Sequence, residues 1–236
     1  REIDSLALLA QLDQTAIALQ HAYIAINQNP LGSKHQLDRA DGETKYHSAH
    51  GEYHPGFRAF LDRFGYYDIF LCDPETGDIV YSVFKELDYT TSLIDGPYAD
   101  TNFGEAFRLA NAATEKDAVF LVDYKPYTPS YEAPASFIAS PILDGDKKIG
   151  VAIFQMPLDR VTTVMSQRAG LGETGEAYLV GPDNLPRSDT YNDPEFHTVV
   201  ASYRNPEKGS VDSETAAQAL QGDTGIQETT NYLGKN

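Results

Sequence analysis

At Tyr66 the hydrophobic pattern of this chain changes period, from the three-and-four spacing of helices to the short apolar runs of strands. That change limits the fold more than any other feature. Residues 67–71 form one apolar run, and residues 79–84 form a second. Between them, Asp73-Pro74-Glu75-Thr76-Gly77-Asp78 supplies turn formers, which predicts a hairpin. A loop holding Asp95-Gly96-Pro97-Tyr98 leads into a helix over about 103–113, with Phe103, Ala106, Phe107 and Ala110 on one face. Strands follow at 118–124, 136–143 and 149–156, the last two joined by Asp144-Gly145-Asp146-Lys147. The order predicts an α+β fold, an antiparallel sheet with its helices on one face.

Upstream, residues 1–29 read as a long helix. Leu9, Leu12, Ala16, Leu19, Tyr23 and Ile26 make an apolar seam that stops at Asn29-Pro30-Leu31-Gly32. The seam serves equally a helix laid along its own domain or a stalk forming a homodimer. A second helical stretch covers 36–64, with a break expected near His54 because Pro55 follows it. Downstream, a connecting helix at 158–169 and the joint Gly170-Leu171-Gly172-Glu173-Thr174-Gly175 open a weaker copy of the pattern. It has strands at 176–180, 185–188 and 226–232 and a helix at 213–221. Leu233-Gly234-Lys235-Asn236 resembles a hairpin turn without a returning strand, so this second module is expected to be incomplete. The expected division is 1–64 helical, 65–157 ligand-binding, 158–170 connecting and 171–236 a partial second module. Beginning at Arg1 in apparent mid-helix, the chain reads as a fragment without signal peptide or membrane span.

Against 35 acidic residues the chain carries 18 basic ones, a net charge of −17. This disfavours nucleic acid and anionic membrane surfaces as partners, since both are bound by Lys and Arg. The single cysteine, Cys72, allows no internal disulfide. No GxSxG, HExxH, phosphate loop or GxGxxG is present, so no enzymatic activity and no cofactor is expected. One enzymatic alternative stays open: His47, His50 and His54 would share a helical face with Glu43 and could hold a divalent metal. A ligand pocket is indicated where aromatic and hydroxyl side chains concentrate among the 15 tyrosines. Tyr98 and Asn102 precede the helix, Asp123, Tyr124, Tyr127, Ser130 and Tyr131 lie in and beyond the third strand, and Ser136 and Phe137 begin the fourth. The plainer reading is that these tyrosines cap a sheet edge.

Several phrases in this order resemble double Cache (tandem PAS-like) sensor domains. They are Gly65-Tyr66-Tyr67-Asp68-Ile69-Phe70-Leu71 with Gly77-Asp78-Ile79-Val80-Tyr81-Ser82-Val83-Phe84-Lys85-Glu86, then Gly96-Pro97-Tyr98, and Ser140-Pro141-Ile142 with Gly150-Val151-Ala152. Gly172-Glu173-Thr174-Gly175-Glu176-Ala177-Tyr178-Leu179-Val180 resembles the start of the second module. The resemblance implies two PAS-like modules in a periplasmic sensor held by two membrane helices, with a small ligand in the first module. The implied receptor is a methyl-accepting chemotaxis protein, or a histidine kinase or nucleotide cyclase. Tyr81 and Gln155 join the implied ligand site. Amino-acid-binding members carry an Arg-x-Trp-Tyr segment and an aspartate on the fifth strand. Here the loop reads Pro97-Tyr98-Ala99-Asp100-Thr101-Asn102 and Gln155 stands in the carboxylate's place. The expected ligand is therefore an organic metabolite other than a standard α-amino acid.

Overall fold

The computed structural model describes residues 14–234, in two units that divide between Met156 and Pro157. In the first unit, helix α1 (Gln14–Gln20) widens into a π-type turn at His21–Ala25. Of the apolar seam, Leu9 and Leu12 lie outside the described residues. Ala16 and Tyr23 are buried and Ile26 is exposed. Tyr23 packs against Ala40 and Tyr89, so this part of the seam faces the chain's own body.

Helix α2 (Lys45–Phe64) begins nine residues later than expected, where Thr44 accepts the His47 N–H at 3.1 Å. It runs through Pro55 without the expected break. His47, His50, His54 and Leu61 are buried along one face, and that packing outweighs the hydrogen bond the proline removes. Gly65, at φ +73°, ends the helix in the left-handed conformation that glycine adopts freely.

Strands β1 (Asp68–Cys72), β2 (Ile79–Ser82), β3 (Phe120–Tyr127), β4 (Ala133–Asp144) and β5 (Lys147–Gln155) form one antiparallel sheet in the order β2-β1-β5-β4-β3. Helices lie on both faces rather than one, a correction to the expectation. Strand β1 is buried throughout except at Leu71, and a strand covered on both faces reads as a continuous apolar run. On one face Phe70, Phe137, Val151 and Ile153 pack against helix α3 (Asn102–Ala112) through Phe103 and Phe107. On the other, Ile69, Tyr81 and Val83 pack against Leu61 and Phe57 of α2. Register places Asp68 opposite Gln155 and Gln155 opposite Phe137, a row across three central strands.

Helix α3 is seated by a close approach: a Cβ on Gly104 would stand 2.1 Å from the Ala99 carbonyl oxygen. Only glycine allows that turn to lie against the loop carrying Tyr98.

The second unit holds helices α4 (Leu158–Met165), α5 (Val199–Arg204), α6 (Pro206–Gly209) and α7 (Glu214–Leu220). The strands expected at 176–180, 185–188 and 226–232 reduce to one bridge between Val180 and Pro186. Pro186 has no N–H to extend a ladder, and an isolated two-stranded pair is marginal in water. Ile226 is fully exposed, so nothing packs on it to fix a strand there.

Phe103 is fully buried, with its ring centroid 4.6 Å from those of both Phe70 and Phe137. Phe103→Ala is expected to lower the unfolding free energy by about 3–5 kcal/mol, read by denaturant titration.

Candidate functional site

The candidate site starts from a carboxylate at the first position of β1. Asp68 is fully buried, and its Oδ1 accepts the N–H groups of Ile69 at 2.7 Å, Val83 at 2.9 Å and Phe84 at 3.2 Å. A side chain thus ties the segment leaving β2 to β1. Lys85 follows at φ +60°, a conformation costly to residues with a Cβ, and its N–H donates to Ser82 Oγ at 2.9 Å. From there Lys85 and Glu86 part. The Lys85 ammonium donates to the Ser82 carbonyl and lies 4.5 Å from the Tyr81 ring centroid, 5.1 Å from Tyr89 and 5.7 Å from Tyr23. Glu86 instead accepts from Tyr67 OH at 3.0 Å and Ser130 Oγ at 3.4 Å. Asp88, two residues on, accepts from Tyr127 OH at 2.6 Å.

On the α3 side of the sheet these carboxyls meet the row formed by Asp68, Gln155 and Phe137. Tyr127 is fully buried between Phe137, 5.3 Å away, and Tyr98, 5.8 Å away. Gln155 Nε2 donates to Ser130 Oγ at 3.0 Å, and Asn102 Nδ2 donates to the carbonyls of Asp123 at 2.9 Å and Ala135 at 2.7 Å. Four buried polar atoms of this neighbourhood have no hydrogen-bond partner among the described residues: Asp88 Oδ1, Tyr98 OH, Asn102 Oδ1 and Gln155 Oε1. Buried polar atoms are nearly always paired, so these four make the neighbourhood the candidate site.

Burial dominates the electrostatics. It pushes Glu86 up to about 8, helped by the charges of Asp88 and Asp68. Burial also lifts Asp88 to about 6, against the stabilising Tyr127 hydroxyl. Asp68 moves up and Lys85 down for the same reason, Asp88 adding to the first and Asp68 opposing the second.

The structure brings Tyr98, Asn102, Tyr127, Phe137, Gln155 and Ser130 to this locality. Ser136 is buried and donates to the Val122 carbonyl at 2.8 Å. Tyr124 is buried on β3, while Asp123 is exposed and accepts its neighbour's N–H at 2.8 Å. Tyr131 is 62 % exposed. Tyr81 lies on the opposite face, hydrogen-bonded to His54. Sequence reasoning missed Asp68, Glu86 and Asp88. The one available signal was an aspartate heading an apolar strand, where a charged side chain has no place unless it is held.

The three helical histidines are buried beside Tyr81, and their nitrogens are largely committed. His47 Nδ1 meets Tyr23 OH at 3.1 Å, and His50 Nδ1 donates to the Asp38 carbonyl at 2.6 Å. His54 Nε2 donates to the His35 carbonyl at 2.7 Å, so its Nδ1 accepts from Tyr81 OH at 2.7 Å. His54 therefore has no nitrogen left for a metal. Among the described residues no group of three or more His, Cys, Asp or Glu side chains is arranged to hold one. Burial, then the Lys85 charge, drives His50 down to about 3 and His54 down to about 4.

Two open clefts are also present. One of about 750 Å³ runs past Thr15, Leu19, Val80 and Ile94, and an apolar one of about 370 Å³ past Tyr53, Phe57, Phe60 and Phe154. None of the unpartnered atoms belongs to a residue lining either. No helix among the described residues is long and apolar enough to cross a membrane.

No family model and no curated protein matches this chain. Similar solved structures include the ligand-binding domain of the Pseudomonas aeruginosa PAO1 amino acid chemoreceptor PctC in complex with GABA. It is 14% identical, with a TM-score of 0.41 over 89% of this chain and 84% of that one. The ligand-binding domain of Campylobacter jejuni chemoreceptor Tlp3 in complex with L-valine is 13% identical, with a TM-score of 0.42 over 80% and 65%. The sensor domain of the V. cholerae histidine kinase DctB is 18% identical, with a TM-score of 0.38 over 68% and 60%.

Because folding holds His50 and His54 below the ordinary 6.5, their neutral rings contribute stability that is complete above that value. It is lost as pH falls through 6.5 toward 4 and 3. His50→Gln is expected to remove on the order of 1–2 kcal/mol of the acid-induced loss between pH 6.5 and 5, read as the difference between the two proteins' unfolding profiles. Parallel profiles would contradict the assignment.

Proposed function

We propose that this chain is the extracytoplasmic small-molecule-sensing region of a bacterial transmembrane receptor of the double Cache type, with its ligand in the first unit. The carrying observation is the set of four buried, unpartnered polar atoms on Asp88, Tyr98, Asn102 and Gln155. An apolar wall of Phe103, Phe137 and Tyr127 beside a few directed polar groups is how small-molecule sites are usually made. The order of elements and the phrases that carry the family resemblance support the same reading. A chemotaxis receptor is the proposed output, with a histidine kinase or cyclase as the alternative. A periplasmic location and pairing through the N-terminal helix belong to the proposal.

Binding would act by favouring one arrangement of the segment 83–102 over another, and can shift it only by the difference in affinity for the two. This segment is a suitable receiver because it touches both the candidate site, through Glu86 and Asp88, and α1, where Gln20 donates to the Tyr89 carbonyl at 2.7 Å. The ligand expected is not an α-amino acid. Its carboxylate would want an arginine, and the buried cation of this unit, Lys85, is turned toward tyrosines instead.

A thermal-shift screen of small metabolites is expected to yield a stabilising ligand. Tyr98→Phe and Gln155→Leu, which remove single polar contacts, should each raise its Kd about tenfold. A stabiliser that binds both variants as tightly as the parent protein would remove the site from this locality.

A further inference from the structure

We propose that the cluster around Asp88 takes up a positively charged ligand in exchange for protons, an inference that rests on reading this cluster as the ligand site. The atoms left over are oxygens. Asn102's orientation is fixed because its NH₂ already donates to two carbonyls, so Oδ1 is the atom without a partner. Gln155's NH₂ gives one hydrogen to Ser130, whose own hydrogen goes to Glu86, and Oε1 is left without a partner. With Asp88 Oδ1 these make three acceptors without a partner, and Tyr98 adds a hydroxyl that can turn either way. The Asp88 carboxylate among them disfavours an anion. An ammonium group, or a hard inorganic cation that prefers carboxylate and carbonyl oxygens, matches the set.

The charge count points the same way. Asp68 and Asp88 are fully buried and Glu86 is half-buried. Among the described residues of this unit, Lys85 is the one buried cation, and its ammonium leans on Tyr81, Tyr89 and Tyr23 across the turn. Three carboxylates against one ammonium leave buried charge uncompensated, which proteins avoid by binding a counter-charge or a proton. The other titratable groups facing these carboxyls are Tyr67, Tyr81, Tyr127, Tyr98 and the Cys72 thiol. All are raised by burial, so none carries a charge at neutral pH. Without ligand, then, protons supply the balance, consistent with Glu86 near 8 and Asp88 near 6. On binding, the carboxyl O–H breaks, the proton leaves to solvent, and the carboxylate faces the cation. No other bond changes.

The linkage has a definite sign. The unliganded site holds more protons than the liganded one, so affinity rises with pH up to about 8 and weakens below it. The slope approaches about tenfold per pH unit for each proton exchanged. The test uses the whole chain and two readouts. First, carbon-detected NMR of side-chain carboxyls without ligand should show Glu86 and Asp88 titrating in the neutral range. Second, thermal unfolding from pH 6 to 8 is followed with ethylammonium, putrescine, potassium or calcium chloride at matched ionic strength. One class should stabilise, organic ammonium or inorganic cation, and more so as pH rises. Glu86→Gln should flatten that pH dependence, and Asp88→Asn should abolish the stabilisation. The proposal is overturned if both carboxyls stay ionised through the neutral range, or if no cation stabilises. It is also overturned if the ligand found is neutral or anionic with pH-independent affinity, which leaves the site standing. Loss of the site itself would show differently, as stabilisers indifferent to Tyr98→Phe and Gln155→Leu.

Discussion

The structure of the first unit depends on one carboxyl group at the start of an inner strand. Asp68 occupies the first position of β1 and accepts backbone N–H groups from its own strand and from the two residues that follow β2's end. Backbone donors left unpaired in a buried place are costly, and here the side chain takes the Phe84 N–H and shares that of Val83 with the Ile69 carbonyl, at 3.2 Å. The hairpin therefore closes on a side chain as well as on the ladder. The segment held this way carries Lys85 to one face and Glu86 with Asp88 to the other.

Each sheet face consequently acquires a polar assembly behind an apolar one. Between α2 and the sheet, tyrosines and histidines pair among themselves and with carbonyls, and burial holds the His50 and His54 rings neutral. Behind α3 the polar groups are acidic and amide side chains, only partly satisfied by Tyr67, Tyr127 and Ser130. The contrast separates a cluster closed on itself from one that is not. The first has spent almost all its hydrogen-bonding capacity internally, His50 Nε2 and His35 Nδ1 being the exceptions, whereas the second has four atoms left over in one neighbourhood.

Much of the first unit was legible because its signals are local. The turn Asp73–Asp78 reads as a turn because Asp73 Oδ1 accepts the N–H groups of Glu75 and Thr76, each at 2.8 Å, and Gly77 takes φ +74°. The face Phe103, Ala106, Phe107 and Ala110 reads as a helix because it is one. What failed to show depends on distant partners. Pro55 should have broken α2, and the packing of three buried histidines, invisible in a linear pattern, kept it whole. Those histidines, spaced as metal ligands are, proved to be hydrogen-bonded to carbonyls and tyrosines far along the chain. The site's tyrosines and Asn102 stood out by composition and position. The buried acids did not, because a buried aspartate and a solvated one are the same letter: Asp88 is buried and Asp123 exposed. In the second unit, the segments at 176–180 and 226–232 were expected as strands, but the first keeps only the bridge from Val180 to Pro186 and Ile226 of the second is fully exposed.

Lys85 shows what this arrangement asks of substitution. Its backbone, at φ +60°, is one that glycine would adopt without the roughly 1–2 kcal/mol that a Cβ costs there. On conformational grounds glycine is thus the better residue, and on electrostatic grounds the worst, since it would leave the acids of the α3 side with no ammonium in the protein interior. A variant library at this position would therefore divide by charge and not by shape. Arginine keeps the charge but is too long for three rings set around a compact ammonium, while every neutral residue leaves the acids unbalanced. Position 85 is where the folding preference of the backbone and the charge balance of the interior disagree, and the residue present resolves the conflict in favour of charge.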